Sequence, residues 1–283
     1  MGKANAAVEA QNIEIDGLPI RYLAAGEGPP LVLLHGAGDN SLDWRWVIPD
    51  LVAAHRVYAP DLPGSPDSAR LGAAFFERFA VGFLDALGIR RATFVGNSLG
   101  GLIALRLALS EPARVTALAL FDSGGLGSAV NPAFTSVNVP LLGESAMPFW
   151  RTRAGAYQRV WGGRRCSSRI PPEAFRASGW PSSAGWRARQ ATWRPPDRAP
   201  RPGGSLRPTR GAGRPPRPTR DADACGMGEC DRVFSRFQAK RSVVRLRDGS
   251  LALIPDCGHM PHVECPDRFL GVLDGFLLKR VHR

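Results

Sequence analysis

The sequence lacks any long uninterrupted hydrophobic run. None of its apolar stretches reaches the roughly 18 residues that a membrane-spanning helix needs. Residues 1–10 contain no apolar core of the kind found in a secretion signal. Ala6 also stands where an N-terminal myristoylation site would carry Ser or Thr. We therefore predict a cytoplasmic protein with no membrane partner.

Cysteine is scarce, and its number is odd. The 283 residues contain Cys166, Cys225, Cys230, Cys257 and Cys265. An odd count without paired spacing argues against a disulfide framework. Two of these cysteines lie close to His259 and His262, which raises the possibility of a zinc site. The strand–turn context of His259 favours another role, and we predict neither a metal nor an organic cofactor.

The net positive charge of the chain is concentrated in one segment. The net charge is +12, but residues 151–225 hold 17 arginines, no lysine and four acids, so the remainder is close to neutral. From about residue 162 to 225, Leu206 is the only leucine and prolines recur every few residues. Such a segment cannot bury enough apolar surface to offset the entropy lost on ordering.

Three interpretations of this arginine-rich segment are open. It is a flexible cap, a basic arm that contacts nucleic acid, or out-of-frame translation of a GC-rich gene. We favour the third, because codons rich in G and C give mainly Arg, Pro, Gly, Ala and Trp when read in the wrong frame. The other two reading frames of the coding DNA would then contain an amphipathic cap sequence.

Outside the segment, predicted strands and helices alternate, which is typical of a mostly parallel sheet with helices on its faces. Apolar runs predict strands at 12–15, 20–24, 31–34, 55–59, 93–95, 117–121 and 251–254. Apolar residues at helical spacing predict helices at 76–87, 102–109 and 269–277. We expect a core built from residues 11–150 and 226–283, with residues 151–225 as an insert.

One short motif has the context that gives it chemical meaning. Gly96-Asn97-Ser98-Leu99-Gly100 fits Gly-x-Ser-x-Gly, follows a predicted strand and precedes an apolar helix. Such a turn lifts the serine hydroxyl clear of the sheet, and its glycines avoid clashes in the sharp bend. The helix N-terminus then directs amides at an anion formed there. We predict Ser98 as a nucleophile, with Gly96, Asn97 and Gly100 in support.

With this motif the chain resembles the α/β-hydrolase family. His35-Gly36-Ala37-Gly38 follows a predicted strand and resembles the family's oxyanion loop. The resemblance implies that the backbone amides of Ala37 and Leu99 hold the developing oxyanion, with His35 and Gly36 in support. It also implies the fold class, an α/β fold whose mostly parallel sheet is flanked by helices, with an inserted cap region.

The resemblance implies His259 as the catalytic base. Family hydrolases place this histidine in a loop after a late strand and before the last helix, and here His259 follows the predicted strand 251–254. The chain order, nucleophile first and histidine last, also fits. His262 competes for the role, but it lies further from the strand and no glycine precedes it. The alternative interpretation is that His259 and His262 are loop histidines without a chemical role.

The triad acid has two candidates. The loop at 228–234 resembles the family's acid-bearing loop, which makes Asp231 the residue that orients His259. Residues 221–227 contain two aspartates where a strand buried on both faces should precede that loop, and buried charge is unfavourable there. Asp122, directly after the strand 117–121, is the alternative acid because some family members carry it at this position.

The resemblance implies a serine hydrolase that transfers an acyl group from a small-molecule ester to water. Carbon–carbon bond hydrolysis in aromatic breakdown also fits, although Met260 stands where such enzymes often carry an aromatic residue. Two other possibilities are an inactive relic and a basic protein whose Trp180, Trp186 and Trp193 stack on nucleic-acid bases. We expect a small-molecule substrate and no specific nucleic-acid partner; the sequence carries no signal for the oligomeric state.

Overall fold

The structure is a computed structural model, and it describes residues 8–37, 39–63, 73–127, 223–244 and 249–281. The arginine-rich segment lies outside the described residues as far as residue 222. The interpretations of that segment as a cap, a basic arm or an out-of-frame product therefore stay predictions. In the described part of the chain, no helix is long and apolar enough to cross a membrane.

Eight strands of the described chain form one sheet with the order β1-β2-β4-β3-β5-β6-β7-β8. The strands are β1 (Glu9–Ile15), β2 (Leu18–Ala25), β3 (Pro30–Leu34), β4 (Arg56–Pro60), β5 (Ala92–Asn97), β6 (Val115–Phe121), β7 (Asp223–Gly228) and β8 (Ser250–Ile254). β2 pairs antiparallel with β1 and with β4, and every other pairing is parallel. The predicted mostly parallel sheet is confirmed.

Helices connect the strands and cover the sheet. The α-helices are α1 (Ile48–Leu51), α2 (Ala73–Ala86), α3 (Leu99–Ser110), α4 (Arg236–Val243), α5 (Pro261–Glu264) and α6 (Pro266–Val281), and 3-10 helices cover Ser41–Trp46 and Pro112–Arg114. The three predicted helices correspond to α2, α3 and α6.

The antiparallel edge of the sheet begins with a hairpin formed by the first two predicted strands. Asp16 and Gly17 join β1 to β2 with φ angles of 50° and 75°. Two consecutive residues with positive φ are what a tight turn needs to match the twist of its strands, and an Asp-Gly pair adopts them readily. The hairpin therefore turns at the Asp-Gly pair between these two strands.

The central strands are apolar throughout because both faces of the sheet are covered. In β3, Val32 and Leu34 pack into the same core cluster as Phe83 of α2 and Leu107 of α3. The alternate residues Leu31 and Leu33 pack on the other face, with Ile48 of α1 and Phe269 of α6. Side chains alternate between faces along a strand, so a strand covered on both sides needs apolar residues at every position. This explains the short apolar runs in the sequence.

The predicted difficulty with the strand before Asp231 is not borne out. β7 pairs in parallel with β6 on one side and β8 on the other. Asp223 is only its first residue, whereas the buried positions that follow are the small or apolar Ala224, Cys225, Gly226 and Met227. The ring of Phe121 occupies the space that a side chain at position 226 would need. The sheet is therefore continuous as far as β8.

Candidate active site

Ser98 lies in the sharp turn between β5 and α3. Its φ and ψ are 53° and −113°, a conformation that a residue with a side chain rarely adopts and that costs roughly 1–3 kcal/mol. The Ser98 amide donates to the carbonyl of Phe121, and the amide of Gly124 donates to the Ser98 carbonyl at 2.9 Å. These bonds to the end of β6 hold the strained turn in place.

Gly96 and Gly100 are needed because backbone approaches backbone on both sides of this turn. A Cβ added to Gly96 would lie 2.5 Å from the Gly100 carbonyl oxygen. A Cβ added to Gly100 would collide with the carbonyl of Leu34, at the end of β3. α3 can therefore start directly at Leu99, and the first-turn amides of a helix have no partner within the helix itself.

The loop after β3 runs next to Ser98. A Cβ added to Gly36 would lie 3.4 Å from the Ser98 Cβ and 2.6 Å from an Asp39 carboxylate oxygen, so glycine fits this close approach. Ala37 follows as an exposed residue in the turn. The structure therefore places the predicted oxyanion loop beside the predicted nucleophile.

His35 anchors this loop as a neutral side chain. The Leu62 amide donates to its Nε2 at 2.8 Å, so the ring proton is on Nδ1, which donates to the Gly36 carbonyl oxygen at 2.8 Å. Burial lowers the pKa of His35. A buried neutral imidazole with both nitrogens bonded supports the conformation of this loop.

Asp231 and His259 are hydrogen-bond partners at the carboxyl edge of the sheet. His259 Nδ1 lies 3.2 Å from Asp231 Oδ2, and the Asp231 side chain is fully buried. The other oxygen, Oδ1, accepts from the Val233 amide at 2.6 Å. β7 and β8 end side by side, so the loops that follow them bring the two residues together.

Asn97 links the candidate nucleophile turn to the histidine loop. Its side chain is buried, and its Nδ2 donates to the carbonyls of Phe121 at 3.1 Å and His259 at 2.9 Å. Within the described chain, no hydrogen bond joins the Ser98 hydroxyl to the His259 ring. Catalytic hydrogen bonds are often long before substrate binds, so this geometry is compatible with a base poised near Ser98.

Glu264 holds the backbone on both sides of His259, a role that the sequence did not indicate. Its Oε2 accepts from the Gly258 amide at 2.9 Å, and its Oε1 accepts from the Met260 amide at 2.8 Å. One carboxylate thus fixes the two peptide groups that flank the histidine. The only sequence signal was an acid within the first turn after Pro261, a position where carboxylates often accept from backbone amides.

We expect Glu264→Ala to lower kcat by about 100-fold with little change in KM, because the loop would hold the His259 ring less accurately. Glu264→Gln keeps one of the two acceptor oxygens, so its kcat should fall between the two. The exposed Asp267→Asn, on the next helix, is the matched control. Steady-state kinetics, with thermal unfolding to confirm folding, is the measurement. Equal kcat in Glu264→Ala and Asp267→Asn would contradict this role.

His262, the competing base, is a core residue. Its ring is fully buried and stacks on Trp44, with 4.1 Å between ring centroids. Burial lowers its pKa to about 3, so it stays neutral at ordinary pH. It cannot act as the base, because it has no access to a substrate.

One local disulfide occurs that the sequence did not indicate. Cys257 and Cys265 form a disulfide, with their Cα atoms 6.3 Å apart, that closes the loop carrying His259. An odd cysteine count speaks against a multi-disulfide framework but says nothing about one local bridge. The two sulfurs are bonded to each other and are therefore not available as zinc ligands in this structure.

One cluster of potential metal ligands occurs among the described residues. An oxygen of Asp122, an oxygen of Asp231 and a ring nitrogen of His259 lie within 4.8 Å of one another. Asp122, the alternative acid, therefore lies beside Asp231 and His259 rather than apart from them. Its Oδ1 accepts from the Gly228 amide at 2.9 Å.

A mostly parallel sheet of this strand order, with helices on both faces and a serine in a strained strand–helix turn, is the architecture of the α/β hydrolases. The model of the Alpha/beta hydrolase family matches residues 31–272, and the chain belongs to this family of hydrolases. The predicted family and fold class are thereby confirmed.

Relatives of known activity match part of the chain. It is 41% identical over 121 residues to 2-hydroxymuconate semialdehyde hydrolase from Pseudomonas sp. (strain CF600), which covers 40% of this chain and 43% of that enzyme. It is 38% identical over 139 residues to an acetyltransferase component of the acetoin cleaving system from Cupriavidus necator, which covers 47% of this chain and 37% of that protein. The chain thus spans less than half the length of these relatives.

A solved structure covers more of the chain. A bacterial membrane phospholipase A superposes with a TM-score of 0.67 at 25% identity, over 95% of this chain and 86% of the other.

Proposed function

We propose that the protein is a serine hydrolase that cleaves small-molecule esters. The observation that carries this proposal is the strained turn at Ser98, whose positive φ is retained although it costs energy. Strain of this kind is kept where it presents a reactive side chain, and Ser98 lies directly before the first residue of α3.

The proposed reaction has two steps. His259 removes the proton of the Ser98 hydroxyl, the oxygen attacks the ester carbonyl, and the amides of Ala37 and Leu99 stabilise the oxyanion. The alcohol leaves with the proton from His259. Water, activated by the same histidine, then releases the acid and restores Ser98, while Asp231 keeps the imidazole oriented through Nδ1.

Carbon–carbon bond hydrolysis is the second candidate, and the identity to 2-hydroxymuconate semialdehyde hydrolase favours it. The same serine, histidine and oxyanion groups would serve both reactions. The two are separated by substrate: short acyl esters of p-nitrophenol report the first, and 2-hydroxymuconate semialdehyde reports the second.

A fluorescent fluorophosphonate tests the proposal before any substrate is known. We expect stoichiometric labelling of the native protein, with the label on the proteolytic peptide that contains Ser98 and no labelling after thermal unfolding. Labelling requires an ionisable serine, its base and an oxyanion site together. Folded protein that takes up no label, or takes it up on another residue, would refute the proposal and favour an inactive relic.

A further inference from the structure

The disulfide between Cys257 and Cys265 encloses the candidate base. The two cysteines are eight residues apart in the sequence, and His259 lies between them. Cys257 follows the turn after β8 and is fully buried, whereas Cys265 is half-buried and directly follows α5. The bond therefore fixes both ends of the segment that carries the histidine.

The disulfide lies next to the hydrogen bonds of Glu264. Glu264 directly precedes Cys265, and its carboxylate accepts at 2.9 Å from the amide of Gly258, which directly follows Cys257. One end of the segment is thus joined to the other by a covalent bond and by an adjacent hydrogen bond. Without the covalent bond, the placement of the peptide groups that flank His259 depends on the Glu264 carboxylate alone.

The backbone of Cys257 also contacts the loop that carries the candidate acid. The amide of Cys230 donates to the Cys257 carbonyl at 2.8 Å, and Cys230 directly precedes Asp231. Asp231 in turn lies 3.2 Å from the ring Nδ1 of His259. A shift of Cys257 therefore changes the position of both members of this pair. A catalytic group that is misplaced by about 1 Å can cost roughly 100-fold in rate.

We propose that the Cys257–Cys265 disulfide is a redox switch of the enzyme: the bonded form holds His259 in its working position, and reduction of the bond by a small dithiol lowers kcat. The inference rests on the proposed serine-hydrolase function. The two cysteines act through His259 and are therefore positioning residues.

The two cysteines differ in exposure, and this difference sets the course of the reduction. A thiolate of the dithiol attacks the sulfur of the half-buried Cys265, the S–S bond breaks, and the Cys257 sulfur leaves as a thiolate that takes up a proton. The second thiol of the dithiol then displaces Cys265 as a thiol, and the reagent leaves as a cyclic disulfide. Two electrons and two protons thus pass to the protein, and the oxidised reagent reverses both steps.

A redox titration of the wild-type protein with mixtures of dithiothreitol and its oxidised form tests the switch. We expect kcat for p-nitrophenyl esters to fall about 10-fold on full reduction, with little change in KM, because the position of the base affects the chemical step. The loss should follow the appearance of the two thiols and be regained on reoxidation. An unchanged kcat after full reduction would overturn the proposal, and so would a reduced protein that is unfolded at the assay temperature.

Cys257→Ser/Cys265→Ser keeps the protein in the unbonded state. It should have the kcat of the reduced wild type and no response to dithiothreitol. Cys230→Ser is the matched control, because it removes an exposed free thiol but leaves the disulfide, and it should keep both the activity and the response of the wild type. A double variant as active as the oxidised wild type, or a Cys230→Ser variant without the response, would overturn the proposal. Cys257→Ala/Cys265→Val, which keeps the buried position apolar, replaces the serine pair if thermal unfolding shows that the latter does not fold.

Fluorophosphonate labelling of the oxidised wild-type protein keeps the two proposals distinguishable. Labelling at Ser98 whose rate is the same before and after full reduction would refute the redox switch alone. An oxidised protein that folds but takes up no label would refute the serine-hydrolase proposal itself.

Discussion

Ser98→Ala is expected to lower kcat for ester hydrolysis by about 10⁴- to 10⁶-fold and to abolish fluorophosphonate labelling. The proposed reaction forms a covalent bond to the Ser98 oxygen, and alanine offers no atom that could replace it. The fold should tolerate the change, because Ser98 makes its contacts to Phe121 and Gly124 through the backbone rather than the hydroxyl. Initial-rate assays on p-nitrophenyl esters measure the loss of kcat, and thermal unfolding measures whether the fold is retained.

Ser123→Ala is the matched control for this prediction. Ser123 is also buried at the carboxyl edge of the sheet, but its hydroxyl donates to the Gly124 carbonyl at 2.7 Å and its own φ is not positive. Its replacement should leave labelling intact. If hydrolysis followed Ser123 and survived in Ser98→Ala, the assignment of the nucleophile would be wrong.

The parts that could be predicted from the sequence depend on local pattern. The strand before Ser98, the turn glycines and the apolar helix after it are contiguous in the chain, so one short stretch specifies the turn. The loop that contains Gly36 could be predicted for the same reason, because it follows β3 directly in the sequence. His259 follows β8 in the same way, and the parallel arrangement of β7 and β8 then brings it to Asp231.

The parts that could not be predicted depend on contacts between distant residues. His262 and His259 are three positions apart, and only the packing of Trp44 against one of them shows that it belongs to the core. Asn97 bonds to the His259 carbonyl across 162 residues of sequence. Asp122 lies close to Asp231 because β6 and β7 are neighbours in the sheet. Without the strand order, the sequence could only present these residues as two alternative acids.

The strand β7 shows how residue composition alone can mislead a prediction of burial. Two aspartates near its start argued against burial, because each was counted as a strand residue. The structure begins β7 at Asp223, and the buried residues that follow it, Ala224, Cys225 and Met227, are small or apolar. A shift of one residue in a strand boundary changes whether a charged residue is expected inside the sheet or at its end. Strand boundaries are the least certain part of a sequence-based prediction.

Replacing His259 should cost as much as replacing Ser98. We expect His259→Ala to lower kcat by about 10⁴- to 10⁶-fold, because nucleophile and base act as a unit and the loss of either one removes their joint contribution. The Ser98→Ala/His259→Ala double variant should therefore be no slower than the single variants. Steady-state kinetics on all three measures this non-additivity, which a residue that merely supports the fold would not produce.

His262→Phe is the control that makes the assignment specific. Phenylalanine keeps an aromatic ring against Trp44, and the ring nitrogens of His262 have no hydrogen-bond partner to lose. The variant should therefore retain activity and fold, since it exchanges a buried imidazole for a ring that costs less to bury. A large loss in His262→Phe with retained folding, alongside an active His259→Ala, would move the base to His262. An active His262→Phe together with an inactive His259→Ala would assign the base to His259. Asp231, Asn97 and Glu264 hold the loop of this histidine at the edge of the sheet.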